Sequence, residues 1–93
     1  MNDIINILKA HKVDLFTKYP IESLALFGSY SRGDFQENSD VDVLVEFNYP
    51  VGIEFIRLSH DLEDILKKEV DLVSKPAIKL KYLKFIEPDL LYV

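Results

Sequence analysis

Residues 40–47, Asp-Val-Asp-Val-Leu-Val-Glu-Phe, constrain the fold more than any other stretch of the chain. Val41, Val43 and Val45 fall on one side of an extended chain while Asp40, Asp42 and Leu44 fall on the other, the period of two that defines a β-strand. One face of this strand must be covered by apolar partners, and the other opens with two acids. Lateral partners are at hand. Ser23-Leu24-Ala25-Leu26-Phe27 is an apolar run too short for a helix and halted by Gly28, and Val70-Asp71-Leu72-Val73 reads as a third strand.

The cover comes from two helical stripes. Over residues 2–19, Ile4, Ile5, Leu8, Leu15, Phe16 and Tyr19 share one face, with Asn2 or Asp3 as the N-cap and Pro20 as a stop. After a break at Pro50 and Gly52, Phe55, Leu58, Leu62, Ile65 and Leu66 form a second stripe that ends in Lys67-Lys68, where cations suit the helix dipole. Pro76 and Pro88 bracket a short helix carrying Lys79, Lys81 and Lys84, and the apolar end Leu90-Leu91-Tyr92-Val93 fits either a core strand or an interface. The order helix, strand, strand, helix, strand, helix predicts an α/β fold, a small mixed sheet packed with helices. With 93 residues and no repeat or linker, residues 1–93 are expected to form one domain.

Composition narrows the chemistry. Cysteine is absent, which removes thiolate catalysis, disulfides and cysteine-held zinc and leaves oxygen ligands and two histidines, so hard cations are favoured. A formal charge of −5 argues against a protein that binds nucleic acid directly, and it suits a positively charged partner. No apolar run approaches the roughly 20 residues that span a bilayer. Met1-Asn2-Asp3 lacks the basic start of a secretory leader, so the expectation is a cytoplasmic protein.

Asp40 and Asp42, two apart on a strand, project from one face about 6.5 to 7 Å apart at the backbone. Two-metal phosphoryl-transfer sites hold cations roughly 3.5 to 4 Å apart, with one carboxylate bridging them and others completing each shell. Asp71 is the natural third ligand: between Val70 and Leu72, burial would be costly without a cation beside it. An Asp-x-Asp alone is common on surfaces, and its setting is what counts. Gly28-Ser29 closes the preceding strand and Ser31-Arg32-Gly33 can open a short helix, so that backbone N–H groups and the Ser29 hydroxyl face a phosphate. A plain β-turn is the other reading of those residues.

Gly28-Ser29, ten intervening residues and Asp40-Val41-Asp42 resemble the signature of the DNA polymerase beta nucleotidyltransferase superfamily in its minimal form. The likeness extends through Gly33 and Val43-Leu44-Val45 to Val70-Asp71-Leu72-Val73, roughly residues 20–75. It implies a single-domain nucleotidyltransferase fold, two Mg²⁺ ions held by Asp40, Asp42 and Asp71, and ATP as the nucleotide substrate. By the same resemblance Asp71 also serves as, or orients, the base for the attacking hydroxyl, and Gly28 and Ser29 cradle the triphosphate. Arg32 fits the motif with two roles open: pairing with phosphate, or with the protein's own acids such as Asp34 or Glu37.

Minimal members of that superfamily resemble antitoxins encoded beside a HEPN ribonuclease toxin, which they neutralise by adenylylating a tyrosine near the nuclease site. That is the leading implication here, with a HEPN-domain partner and no nucleic acid or membrane bound. Two other classes stay open: a non-catalytic antitoxin that occludes its partner, and an enzyme acting on a small hydroxylated molecule such as an aminoglycoside, working as a homo-oligomer with a site shared across the interface. His11 and His60 read as surface or boundary residues. Tyr30 either stacks on a base or packs on the sheet, and Lys79, Lys81 and Lys84 read best as a solvated helix face.

Overall fold

The computed structural model describes residues 3–93. Two short helices open the chain, α1 (Asp3–Ala10) and α2 (Lys12–Lys18), followed by β1 (Ile21–Phe27), the one-turn helix α3 (Ser29–Arg32) and β2 (Val41–Phe47). The long helix α4 (Ile53–Leu66) leads to β3 (Val70–Ser74), α5 (Leu80–Ile86) and β4 (Leu91–Tyr92), with 3₁₀ turns at Lys75–Ala77 and Glu87–Asp89.

The single helix expected over residues 2–19 is interrupted at His11. Its backbone leaves the helical region at φ −100° and ψ 4°, and its N–H is shared between the carbonyls of Ile7 (3.2 Å) and Leu8 (3.1 Å). The ring Nδ1 also lies 3.0 Å from the Ile7 carbonyl, so both the backbone and the side chain of His11 converge on that oxygen at the break. The apolar stripe survives the break: Ile4, Leu8, Leu15 and Tyr19 are all buried. The expected cap Asn2 lies outside the described residues.

The sheet has the order β3-β2-β1-β4, with β1 antiparallel to β2 and to β4, and β2 parallel to β3 through the α4 crossover. Val41, Val43 and Val45 face Leu58, Leu62 and Leu66 of α4 and the stripe of α1 and α2 in one core cluster. The alternation in β2 is less strict than the sequence pattern. Leu44 on the opposite face is buried, as is its register partner Ala25. The chain end proves to be an edge strand, Leu91 opposite Leu26 and Tyr92 opposite Ala25. Among the described residues no helix is long and apolar enough to cross a membrane.

Register fixes what comes next. Phe27 lies opposite Asp42, and Asp42 lies opposite Asp71. Three strands therefore bring Gly28, Asp42 and Asp71 to the same end of the sheet.

A polar tie joins α2 to α4 beside the core. The Tyr19 hydroxyl donates to Asp61 Oδ2 at 2.5 Å, and Lys18 Nζ pairs with the same oxygen at 2.8 Å. Burial, then the hydrogen bond to Asp61, pushes the Tyr19 phenol up to about 12. A folded-state value above the unfolded one means stability that is intact below pH 10 and is lost as pH rises through 12. Spectrophotometric titration should show a late phenolic step that Tyr19→Phe removes, and the alkaline loss of stability should be shallower in that variant.

Candidate active site

Gly28 ends β1 with φ 73° and ψ −150°, a conformation that side-chain-bearing residues rarely adopt. A Cβ at this position would also collide with the Asp42 carboxylate. The backbone at Gly28 is thus laid directly on the Asp42 carboxylate, which only glycine permits. From there the chain turns at once into α3, where the N–H groups of Ser31 and Arg32 both reach the Gly28 carbonyl. Gly33, at φ 87°, closes the turn by returning its N–H to the Ser29 carbonyl at 2.9 Å. Tyr30 anchors the turn from inside: its ring is buried and stacks on Phe35 at 4.3 Å. Of the two roles open to Tyr30, packing is the one observed.

The three acids meet at this turn, in a different way from the sequence expectation. The ladder begins at Val41, so Asp40 stands one residue ahead of the strand, at the end of the loop, and is exposed. Asp42 is within the strand, half-buried, on the face opposite the valines. Asp71 is its neighbour in a parallel ladder and points to the same face. However, Asp71 is exposed, because β3 is an edge strand, and the argument that burial would demand a cation beside it does not hold. Among the described residues the ion pairs join Lys18 to Asp61, Arg32 to Asp34 and Asp89, and Lys75 to Glu46; none involves Asp40, Asp42 or Asp71.

The acids sense one another all the same. Burial raises the Asp42 carboxyl above its usual range, the charges of Asp71 and Asp40 raise it further, and Arg32 partly offsets them. Among the described residues no three His, Cys, Asp or Glu side chains are gathered as a metal cage. An all-oxygen set with an open side still fits Mg²⁺ in kind. That ion keeps several waters and is held by one or two carboxylates plus substrate phosphates rather than by a cage of protein ligands. The positive-φ turn against Asp42 provides the close backbone approach that such a shared site needs.

Arg32 is committed to the protein's own acids. Its Nε bonds Asp34 Oδ2 at 3.1 Å and its Nη1 lies 3.5 Å from Asp89 Oδ2; the hydrogen bond to Asp34 is the main reason its pKa is raised. Asp89 also accepts, through its carbonyl, a hydrogen bond from the Ser31 hydroxyl. Sequence reasoning missed Asp89, and no local signal marks it, since its partners lie nearly sixty residues upstream. Neither histidine joins the acids: His11 is spent on the Ile7 carbonyl and His60 is exposed on α4. A groove of about 890 Å³, lined by Phe47, Tyr49, Phe55, Ile56 and Pro76, lies at the other end of β2.

Comparison with known proteins follows the same lines. A family model described as a nucleotidyltransferase domain matches residues 6–91. A Methanocaldococcus jannaschii relative, provisionally named a protein adenylyltransferase, is 47% identical over all of this chain and 97% of its own length. The protein adenylyltransferase MntA of Thermococcus cleftensis is 39% identical over 100% of this chain and 95% of its own. Among solved structures, one provisionally described as a minimal nucleotidyltransferase superposes with a TM-score of 0.77 at 26% identity, covering 92% of each chain. A second, a toxin–antitoxin crystal structure with AMP-PNP, gives 0.64 at 28% identity over 76% of this chain and 60% of its own.

The raised Asp42 pKa yields a signed prediction. The ionised carboxylate is disfavoured by folding, so its cost is absent at low pH and grows as pH climbs from 3.8 through the higher folded-state value. In EDTA at neutral pH, Asp42→Asn should melt at the same temperature as the parent or higher, with the difference shrinking as pH falls towards 3.8. A variant that melts well below the parent would show that Asp42 is structural.

Proposed function

The chain belongs to the nucleotidyltransferase-domain family, and from that premise we propose that it transfers AMP from ATP to a tyrosine hydroxyl of a HEPN-domain toxin, acting as its antitoxin. The observation that carries this reading is the row Gly28, Asp42 and Asp71 set by strand register. The adenylyltransferase names of the relatives support AMP as the transferred group, and the toxin–antitoxin neighbour with AMP-PNP supports both the nucleotide and the biological setting.

Each residue then has a task. The Gly28 backbone and the Ser29 hydroxyl receive the triphosphate, at a turn where the absence of a Cβ lets the backbone lie against the Asp42 carboxylate. Asp40, Asp42 and Asp71 would hold two Mg²⁺ ions, which when bound neutralise charge on the triphosphate and acidify the acceptor hydroxyl. Asp71, exposed at the sheet edge, accepts the proton of the tyrosine hydroxyl. The tyrosine oxygen attacks the α-phosphorus in line, the bond to the β-phosphate bridging oxygen breaks, and pyrophosphate leaves with that electron pair. Arg32, held by Asp34 and Asp89, keeps positive potential near Asp42 without contacting it. The exposure of Asp71 thus suits a macromolecular acceptor that arrives from solvent. The same reading puts the protein in the cytoplasm with its ATP.

The test is incubation with Mg²⁺, a HEPN-domain partner and either α- or γ-labelled ATP. Label from the α position alone should appear on the partner. Asp71→Asn should lower the rate by about 10²–10⁴-fold, the usual contribution of a positioned base. Gly28→Val should abolish triphosphate binding in calorimetry, whereas Ser29→Ala should weaken it only modestly, because backbone donors remain. Transfer of the γ-phosphate would refute the reading, and protection of cells from the toxin by Asp42→Asn without labelling would show that the chain works by occlusion.

A further inference from the structure

The segment after β3 is charged unlike the rest of the molecule. Residues 75–86 hold four of the chain's eleven Lys and Arg and no acid, although the chain as a whole carries −5. Within it, α5 rests on the body through the half-buried Leu83 and Ile86 and turns the opposite side to solvent. That outer side presents Phe85 at 78% exposure and Leu80 at 66%, with Tyr82 at 56% on its flank, interleaved with the exposed Lys81 and Lys84. Three large apolar side chains so exposed on seven residues of helix are costly to leave in water and mark an interaction surface. Lys81 Nζ lies 5.2 Å from the centre of the Tyr82 ring, which holds charge and aromatic surface together.

The segment that follows α5 connects it to the turn at Gly28. Immediately after it, Asp89 is tied to the nucleotide turn by the Ser31 hydroxyl and by Arg32 Nη1, and β4 then pairs with β1 two residues before Gly28. The C-terminal end of α5 therefore leads directly to the rim of the site. A body docked on α5 would therefore lie beside the Gly28–Gly33 turn, to which Asp89 ties the end of that helix.

We propose that the outer side of α5 is the docking surface for the acceptor protein, and that the matching face of the acceptor is apolar with a rim of Asp and Glu. This rests on the protein-acceptor reading above and reverses the expectation, drawn from net charge, of a basic partner: the local charge is positive. Apolar aromatics at the centre with lysines around them suit a protein interface. Nucleic acid is disfavoured, since the surface has no arginine and the remainder of the chain is strongly acidic. A second copy in a two-fold arrangement is disfavoured too, because Lys81 and Lys84 of each chain would face their equivalents.

The experiment measures AMP transfer to the HEPN-domain protein by the full chain and by two variants, Lys81→Glu/Lys84→Glu and Phe85→Ala. The charge reversal should lower kcat/KM for the acceptor about tenfold at low salt, as loss of electrostatic steering does. It should leave KM for ATP unchanged. Transfer by the parent should fall as salt is raised, and transfer by the charge-reversed variant should not. Phe85→Ala should raise KM for the acceptor while keeping the parent's salt dependence. Acceptor kinetics equal to the parent's in both variants would overturn the proposal, as would binding of single-stranded oligouridylate by the parent but not by the charge-reversed form. Self-association lost in Phe85→Ala would overturn it in favour of a second copy. Failure of the parent itself to label the HEPN protein is a different result, and it would overturn the proposed function on which this one stands.

Discussion

Lateral pairing at one end of the sheet is the constraint from which the rest follows. The antiparallel pair sets Phe27 against Asp42 and the parallel pair sets Asp42 against Asp71, so a glycine turn and two acids from three distant segments become neighbours. Each strand contributes through a different property of its sequence. β1 ends on a residue that can take φ 73°, β2 carries an acid on the face opposite its valines, and β3 supplies its acid from an edge where solvent and partner have access. A slip of one residue in β2 or β3 would send its carboxylate to the opposite face of the sheet, into the valine and leucine core.

That arrangement works against itself electrostatically. Like charges and partial burial disfavour the ionised Asp42, and no ion pair among the described residues reaches the three acids. The register is held from the other side of the sheet, where Val41, Val43 and Val45 pack on Leu58 and Leu62, all of them fully buried. Apolar burial of about 1.5–3 kcal/mol per large side chain outweighs the repulsion of partly solvated carboxylates. On the proposed function, cations and a bound triphosphate would relieve that repulsion, which would link the site's instability to its chemistry.

Much of this was readable from the residues. The valine alternation gave β2, the apolar run stopped by Gly28 gave β1, and the stripe through Leu58 and Leu62 gave α4, because each has the period of its element. The Gly-Ser and Asp-x-Asp spacing pointed to the end of the sheet where the acids meet. What stayed hidden depends on tertiary partners. The break at His11 leaves the apolar stripe in phase, with Ile4, Leu8, Leu15 and Tyr19 all buried, so no periodicity betrays it. The exposure of Asp71 follows from β3 being an edge, which strand order decides and composition does not. β4 is two residues long, too short for a periodic signal, and Asp89 meets Arg32 and Ser31 only after the sheet has closed.

The central claim is that register, rather than any preformed cage, makes a single cation and triphosphate site from Gly28, Asp42 and Asp71. Paramagnetic broadening tests it most directly: Mn²⁺ is titrated, with AMP-PNP, into the isotopically labelled chain and the loss of each amide resonance is followed. The account predicts that the amides around Gly28 and Ser29, around Asp40 and Asp42, and at Asp71 broaden together at the same low Mn²⁺ ratio, while those of Phe47, Tyr49 and Ile56 at the far end of β2 stay sharp. Broadening centred on the far end, or at Asp40 and Asp42 with Asp71 untouched, would contradict it.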